Sequence, residues 1–332
     1  MASKPPKQRI VIGICTRQRN ALLRRLLESI WEQPIPPNYD VDVVIVDNND
    51  EPAVTLEILQ LPEKFNVTLV HESKVGLVNA RNRILDAATL AGADWLIGVD
   101  DDEWVAPDWL AQFIIAFETL DAAIIVAAKQ IIYDEATSPF VERRQIEDLP
   151  PGSDTRIFST ANFAISKCVF DPDHGPGLRF AMGFNESGGE DYEFMLRAKN
   201  LYGLRAKYWP HAVATEEVNG KRTTFSHHFK RRIAAQVTRY HAMALHSKAS
   251  PDESSSLTPL NLLLRSNRAI VYGTGWCLVG IGLLLLGRRN AREVIGKGMF
   301  SLARGYAIIP YLLGRRTVLY GADVNADRSA ST

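Results

Sequence analysis

The stretch Asp94-Trp95-Leu96-Ile97-Gly98-Val99-Asp100-Asp101-Asp102-Glu103-Trp104-Val105-Ala106-Pro107-Asp108-Trp109 decides the fold of this chain. Residues 95–99 form an apolar, strand-like run, three successive carboxylates follow at its C-terminal end, and Pro107 then opens a helical pattern. Adjacent carboxylates repel one another, so keeping all three ionised calls for a cation. Hard oxygen ligands of this kind suit Mg²⁺ or Mn²⁺ held together with substrate phosphates. An equally open reading is that Asp102 and Glu103 favour the positive end of the next helix.

Upstream of this stretch, strands alternate with helices. Residues 10–15 are a β-branched run, and residues 20–31 carry Leu22, Leu23, Leu26, Leu27 and Ile30 at helical spacing. Residues 41–46 form a second apolar run, residues 54–61 a short helix, residues 66–71 a third strand and residues 76–91 a helix with Arg81 and Arg83 near its start. This order predicts an α/β fold with a mostly parallel central sheet, in which ligands bind beyond the C-terminal strand ends. Thr16-Arg17-Gln18-Arg19, Asp47-Asn48-Asn49 and the three aspartates all fall at such ends. Each alone reads as a loop or a cap; three in register mark a ligand site.

Downstream, residues 108–120 read as a helix, 122–128 as a strand, 131–155 as a loop excursion and 159–165 as a strand. In Phe184-Asn185-Glu186-Ser187-Gly188-Gly189-Glu190-Asp191-Tyr192, two glycines permit a sharp bend before a helix whose first turn carries two acids. A capped helix is the competing reading. A basic helix follows over residues 225–246.

Composition is that of an ordinary globular protein, 46% hydrophobic and 23% charged. The zero net charge conceals an asymmetry: residues 221–332 carry 17 Lys+Arg against 5 Asp+Glu, and residues 1–220 carry 21 against 33. A basic and also apolar C-terminal third suits an anionic lipid surface better than nucleic acid. Cys15, Cys168 and Cys277 are too few and too scattered for a disulfide framework or a zinc site, which predicts a reducing compartment. His227, His228, His241 and His246 lack the spacing of a metal pair and read as surface or acceptor-side residues. The polar N-terminus is followed by no secretory apolar core, so the catalytic body is expected in the cytoplasm.

Ile14-Cys15-Thr16-Arg17-Gln18-Arg19, Val46-Asp47-Asn48, Gly76-Leu77-Val78-Asn79-Ala80-Arg81-Asn82 and Asp100-Asp101-Asp102 together resemble the nucleotide-sugar-binding half of a GT-A fold. The chain is similar to inverting glycosyltransferase family 2 over about residues 9–245. The resemblance implies that Thr16, Arg19, Asp47, Arg81, Asp100 and Asp101 bind the nucleotide sugar. It also implies that Asp102 coordinates the Mg²⁺ or Mn²⁺ bridging the diphosphate. Arg17 stands where the family often has an aromatic residue, which leaves the stacking partner of the base open. The Gly188-Gly189-Glu190-Asp191 run, with Leu196-Arg197 after it, resembles the family's acceptor motif, most closely in bacterial exopolysaccharide glucosyltransferases of the succinoglycan type. That implies acceptor binding by Gly188, Gly189 and Glu190, and Asp191 as general base, held ionised by the helix end. Gln236-Val237-Thr238-Arg239-Tyr240 resembles the Gln-x-x-Arg-Trp motif of processive members with Tyr240 in place of tryptophan. Single-sugar transfer is therefore expected rather than polymerisation.

Residues 269–287 carry no charge, with Arg265 and Arg268 before them and Arg288 and Arg289 after. As a helix this run spans roughly 28 Å, near the ~30 Å thickness of hydrocarbon, and its five glycines are better tolerated in membrane than in a soluble helix. A single crossing would carry the Arg-rich 288–316 segment away from the catalytic body, against the preference of basic flanks for the cytoplasm. Residues 299–313, broken by Arg304 and Pro310, could complete a hairpin or lie in the interface. A re-entrant or interfacial anchor at the cytoplasmic face of the bacterial inner membrane is expected.

The predicted organisation is a polar tail at 1–8, a catalytic domain at 9–246, a linker at 247–258, membrane-associating helices at 259–320 and a polar tail at 321–332. The predicted activity is inverting, metal-dependent transfer of a hexose from a UDP-sugar to a polyprenyl-diphosphate-linked saccharide in cell-surface or exopolysaccharide synthesis. Membrane phospholipid is a partner and nucleic acid is not. A nucleotidyltransferase acting on sugar phosphates is the alternative, weakened because no glycine follows the first strand to grip a triphosphate. A non-catalytic membrane-associated scaffold is another, weakened by the intact carboxylates.

Overall fold

β1 (Gln8–Thr16) is central because both its faces are buried: Ile10, Ile12 and Ile14 on one face and Val11 on the other are fully buried, each adding about 1.5–3 kcal/mol of hydrophobic stabilisation. The structure, a computed structural model, describes residues 7–59, 64–141, 143, 146, 148–155, 159–246 and 257–315. Nearly all of the expected linker and both polar tails lie outside these residues.

From β1 the chain runs through α1 (Asn20–Trp31), β2 (Tyr39–Asp47), α2 (Leu56–Leu59), β3 (Asn66–His71), α3 (Leu77–Leu90), β4 (Trp95–Asp100), β5 (Glu103–Val105) and α4 (Trp109–Thr119). It continues through β6 (Ile124–Tyr133), β7 (Asn162–Ser166), α5 (Lys167–Phe170), α6 (Glu190–Tyr202), β8 (Ala206–Val218) and α7 (Phe225–His246). The last helices are α8 (Pro259–Leu285), α9 (Ala291–Tyr306) and α10 (Ile308–Leu312).

The eight strands form one sheet in the order β3-β2-β1-β4-β7-β6-β8-β5. β3, β2, β1 and β4 are parallel, whereas β4 with β7, β6 with β7 and β5 with β8 are antiparallel. The sheet is thus mixed, not mostly parallel: α4 carries the chain across to β6, which runs the same way as β4, but β7 inserts between them in the opposite direction. Buried Asn162 joins this second half: it accepts from Trp109 Nε1 at 3.0 Å and donates to the carbonyls of Ala128 at 2.7 Å and Ala212 at 2.8 Å. The expected excursion from 131 begins later, since β6 continues to Tyr133.

The chain divides into two compact units, the first of residues 1–130, 145–182 and 197–216, the second of residues 131–144, 183–196 and 217–332. The sheet core belongs to the first. In the second, α7 packs its aromatic start, Phe225, against Phe140 and Phe300, with ring centroids 6.1 and 5.3 Å apart. α8 and α9 form an antiparallel hairpin, so the second apolar run does complete a hairpin. A Cβ on Gly273 would lie 2.8 Å from the Gly298 carbonyl, which only glycine allows, and Ser266 and Ser301 donate across to Gly305 O and Ala269 O at 2.9 Å each. Among the described residues, α8 is the one helix long and apolar enough to cross a membrane by length and composition, and little of its apolar window is buried.

Candidate active site

Parallel register sets Thr16 opposite Asp47 and Cys15 opposite Asp100, so the polar ends of β1, β2 and β4 lie level. Beyond β1 the chain turns through Gln18, whose φ of 56° is the one positive value at a described non-glycine residue. The turn returns Arg19 toward the aspartates. Arg19 Nη1 donates to Asp101 Oδ1 at 3.0 Å and to Asp102 Oδ2 at 3.2 Å, while Thr16 Oγ1 donates to Asp101 Oδ2 at 2.8 Å. Burial pushes the Asp101 carboxyl up to about 6 against the pull of Arg19 and Thr16.

The three aspartates therefore differ. Asp101 is buried beneath the turn, Asp102 is partly exposed against Arg19, and Asp100, the most exposed, lies 3.7 Å from Arg81 Nη2 of α3. The helix-start reading of Asp102 and Glu103 does not hold: a turn and β5 occupy these positions, and α4 begins only at Trp109.

Asp47 is buried with both oxygens engaged by its own loop: Asn49 N at 3.1 Å, Ala53 N at 2.7 Å and Val54 N at 2.9 Å. These amides hold its pKa below the usual range despite burial. Asn48 donates to Glu72 O and Lys74 O at 2.8 and 2.9 Å and accepts from Gly76 N at 2.8 Å, which fixes the entry to α3. Next to Arg81, Asn82 exchanges two hydrogen bonds with the Phe180 backbone, at 2.7 and 3.0 Å. Asn82 stood in the quoted motif without a role, and a partner 98 residues away explains why.

A second group was missed altogether. The Lys129 ammonium of β6 lies against the fully buried Glu103 carboxyl and 2.8 Å from Glu216 Oε2 of β8. Burial pushes the Glu103 carboxyl up to about 8; Lys129 opposes this and Asp100 adds to it.

Gly188, Gly189, Glu190 and Asp191 lie in the second unit, whereas Thr16, Arg19, Asp47, Arg81 and Asp100 to Asp102 lie in the first. Gly188 and Gly189 take φ of 70° and 82°, and a Cβ on Gly189 would lie 2.2 Å from Thr238 Cγ2 of α7. The bend delivers Glu190 and Asp191 to the first turn of α6, as the glycine pair predicts. α6 is tied to α7 twice: Glu193 Oε1 lies 2.8 Å from His246 Nε2, and Arg239 Nε donates to Tyr192 Oη at 3.1 Å. His246 is thus a buried clamp, not a surface residue, because its partner comes from another helix.

No three acidic, histidine or cysteine side chains form a closed metal cage among the described residues. A cation shared with a diphosphate needs only one or two protein carboxylates, the rest being phosphate oxygens and water, and Asp102 with Asp100 beside it matches that donor set. The three thiols are free.

A half-parallel, half-antiparallel sheet with acids at its central strand end is the architecture of a GT-A-like glycosyltransferase. The Glycosyl transferase family 2 profile matches residues 11–180, and the chain belongs to that family. The Succinoglycan biosynthesis protein ExoM of Rhizobium meliloti (strain 1021) is 28% identical over 245 residues, 72% of this chain and 76% of the relative. Among solved structures, the mannosyltransferase PcManGT from Pyrobaculum calidifontis, in complex with GDP-Man and Mn²⁺, has a TM-score of 0.55 at 17% identity, covering 94% of this chain and 89% of that one. Residues 1–349 of S. aureus TarS in complex with UDP have a TM-score of 0.50 at 15% identity, covering 93% and 92%. These two likenesses concern the fold. Family membership makes the chain an enzyme and sets aside the nucleotidyltransferase and scaffold readings.

Proposed function

We propose that this glycosyltransferase moves a hexose, with inversion, from a UDP-sugar to a hydroxyl of a polyprenyl-diphosphate-linked saccharide during exopolysaccharide synthesis at the cytoplasmic face of a bacterial inner membrane. The observation that carries the reading is the turn Asp100-Asp101-Asp102, held by Thr16 and Arg19 at the end of β4. The succinoglycan relative supports the polysaccharide role. The nucleotide ligands of the two solved structures support a nucleotide-sugar donor, and the Mn²⁺ of one supports a divalent cation.

Asp100 and Arg81 line the nucleotide side. Thr16, Arg19 and Asp101 set the turn, and Asp47 acts by shaping the loop at residues 48–54. Asp102 would hold the Mg²⁺ or Mn²⁺, which when bound supplies positive charge to the leaving diphosphate. Gly188, Gly189 and Glu190 form the bend that meets the acceptor. Asp191 accepts the proton of the acceptor hydroxyl as its oxygen attacks the anomeric carbon opposite the breaking bond. Residues 9–246 carry the chemistry, and residues 259–320 bind phospholipid as a re-entrant or interfacial anchor.

The test incubates the full-length protein with UDP-glucose, UDP-galactose or GDP-mannose and a lipid-linked saccharide, with Mn²⁺ or with EDTA, and follows nucleotide release and product mass. Metal-dependent transfer from a UDP-sugar is expected. Transfer from GDP-mannose alone would overturn the donor, and a product with the donor's anomeric configuration would overturn the mechanism.

A further inference from the structure

The second unit contains a cavity of about 710 Å³ between α7, α8 and α9. Arg232, Arg239, Arg265, Arg268, Lys297 and Arg304 line it, Lys297 also pairing with Glu293 at 3.4 Å, and among the described residues no carboxylate is part of the lining. A solvated basic face spreads its charges over one helix. Here three helices converge theirs on a single concavity, where cations repel unless an anion of several charges sits among them. Guanidinium forks suit phosphate oxygens, which they bind in pairs.

The lining also changes character along α8. Tyr272 and Trp276 follow Arg268 at intervals of four residues, so they continue the same helix face, and both are exposed. Arg268 lies over the Tyr272 ring at 5.6 Å. The distance from Arg265 to Trp276 along the axis is about 16 Å. An occupant with a charged head and an apolar body matches this order.

We propose that this cavity holds the diphosphate of the lipid-borne acceptor, with its hydrocarbon chain leaving past Tyr272 and Trp276. The inference rests on the acceptor proposed above and gives it a binding site. Arg239 ties the cavity to the chemistry: its Nε donates to the hydroxyl of Tyr192, the residue after Asp191. An anion held here places its attached saccharide beside the start of α6. An ordinary anionic phospholipid presents one phosphodiester charge, less than a cluster of converging arginines can hold.

The test measures binding to the full-length protein in POPC nanodiscs without donor or metal. The probes are farnesyl diphosphate, farnesyl monophosphate and inorganic diphosphate, with nanodiscs containing POPG as a further arm. Farnesyl diphosphate should bind at least tenfold tighter than either other probe and should not be displaced by POPG. Arg265→Gln with Arg268→Gln should weaken it by roughly tenfold or more, as loss of charged hydrogen bonds does, and the corresponding double Lys variant should weaken it less. Equal affinity for the monophosphate, equal affinity for inorganic diphosphate, displacement by POPG, or an unaffected Gln variant would each overturn the proposal. The ranking of probes on the wild type decides the matter even if the Gln variant misfolds. Because no turnover is read, failure of the transferase reading leaves this result standing, whereas an active transferase whose cavity ignores farnesyl diphosphate overturns this inference alone.

Discussion

Replacing Glu103 by glutamine should change how the first unit responds to pH. In the wild type, two buried carboxyl groups, Glu103 and Glu216, face one cation, Lys129. Lys129 Nζ lies 2.8 Å from Glu216 Oε2, and Glu103 keeps its proton up to about pH 8, against an ordinary 4.5. Since the folded state then binds more protons than the unfolded chain, stability declines as pH rises from about 4.5 toward 8 and is level above that. Between pH 4.5 and 7.5 the decline from this one group is roughly 3 kcal/mol. Glutamine resembles the protonated acid and does not titrate, so the variant lacks the decline. Relative to the wild type it should gain about 3 kcal/mol across that interval, close to 1 M in urea midpoint.

Five of the six tryptophans, Trp31, Trp95, Trp104, Trp109 and Trp209, lie in the first unit, so tryptophan fluorescence reports its unfolding. The measurement is a series of urea titrations of both full-length proteins from pH 4.5 to 8.5 in EDTA, so that no cation near Asp102 contributes. If the two stability profiles run parallel within about 0.5 kcal/mol, Glu103 is ionised when folded and the reasoning fails.

The remaining predictions concern the site and the anchor. Asp191→Asn should lower turnover by roughly two to four orders of magnitude with donor affinity nearly unchanged; near-normal turnover would leave Asp191 a helix cap. Transfer should stop in excess EDTA and return with Mn²⁺ or Mg²⁺, and Asp102→Asn should lose most of it; full activity in EDTA ends the metal assignment. Gly189→Ala forces a Cβ to 2.2 Å from Thr238 Cγ2 at a φ of 82°, so turnover should fall, and Thr238→Ser, which removes that methyl, should restore part of it. Absence of any rescue in the double variant would show that backbone strain, not the contact, is responsible. Full-length protein should float with POPC/POPG vesicles, and glutamate at exposed Leu278 and Leu285 should reduce flotation; a chain that ignores vesicles has its apolar helix face covered some other way.

What could be read from the sequence was local. β3 is Asn66–His71 and α7 is Phe225–His246, as their patterns predict: β-branched residues set β3 even at the sheet edge, where none of it is fully buried, and α7 buries one face of its helix. β5 has three residues, too few for any period, and its acidic first residue resembles a helix cap. β6 and β7 follow from their apolar runs, but β8 went unread: Tyr208 with Trp209, and Ala214 through Glu216, are buried consecutively, so Ala206–Val218 has no clean alternation, and Pro210, Glu216 and Glu217 interrupt its apolar residues.

The three aspartates show how far local reading can go. Their position at a strand end follows from the apolar run before them, and the sequence has no means of ranking them. The ranking comes from partners more than 80 residues away: Thr16 and Arg19 draw Asp101 inward, and Arg19 also holds Asp102. Asp100 is left the most exposed of the three, near Arg81. Residues of one chemical type in one turn thus have unequal access to solvent and to any ligand. Asp101, like Asp47, is buried with both oxygens engaged by its own surroundings, whereas Asp100 and Asp102 keep more of their surface open.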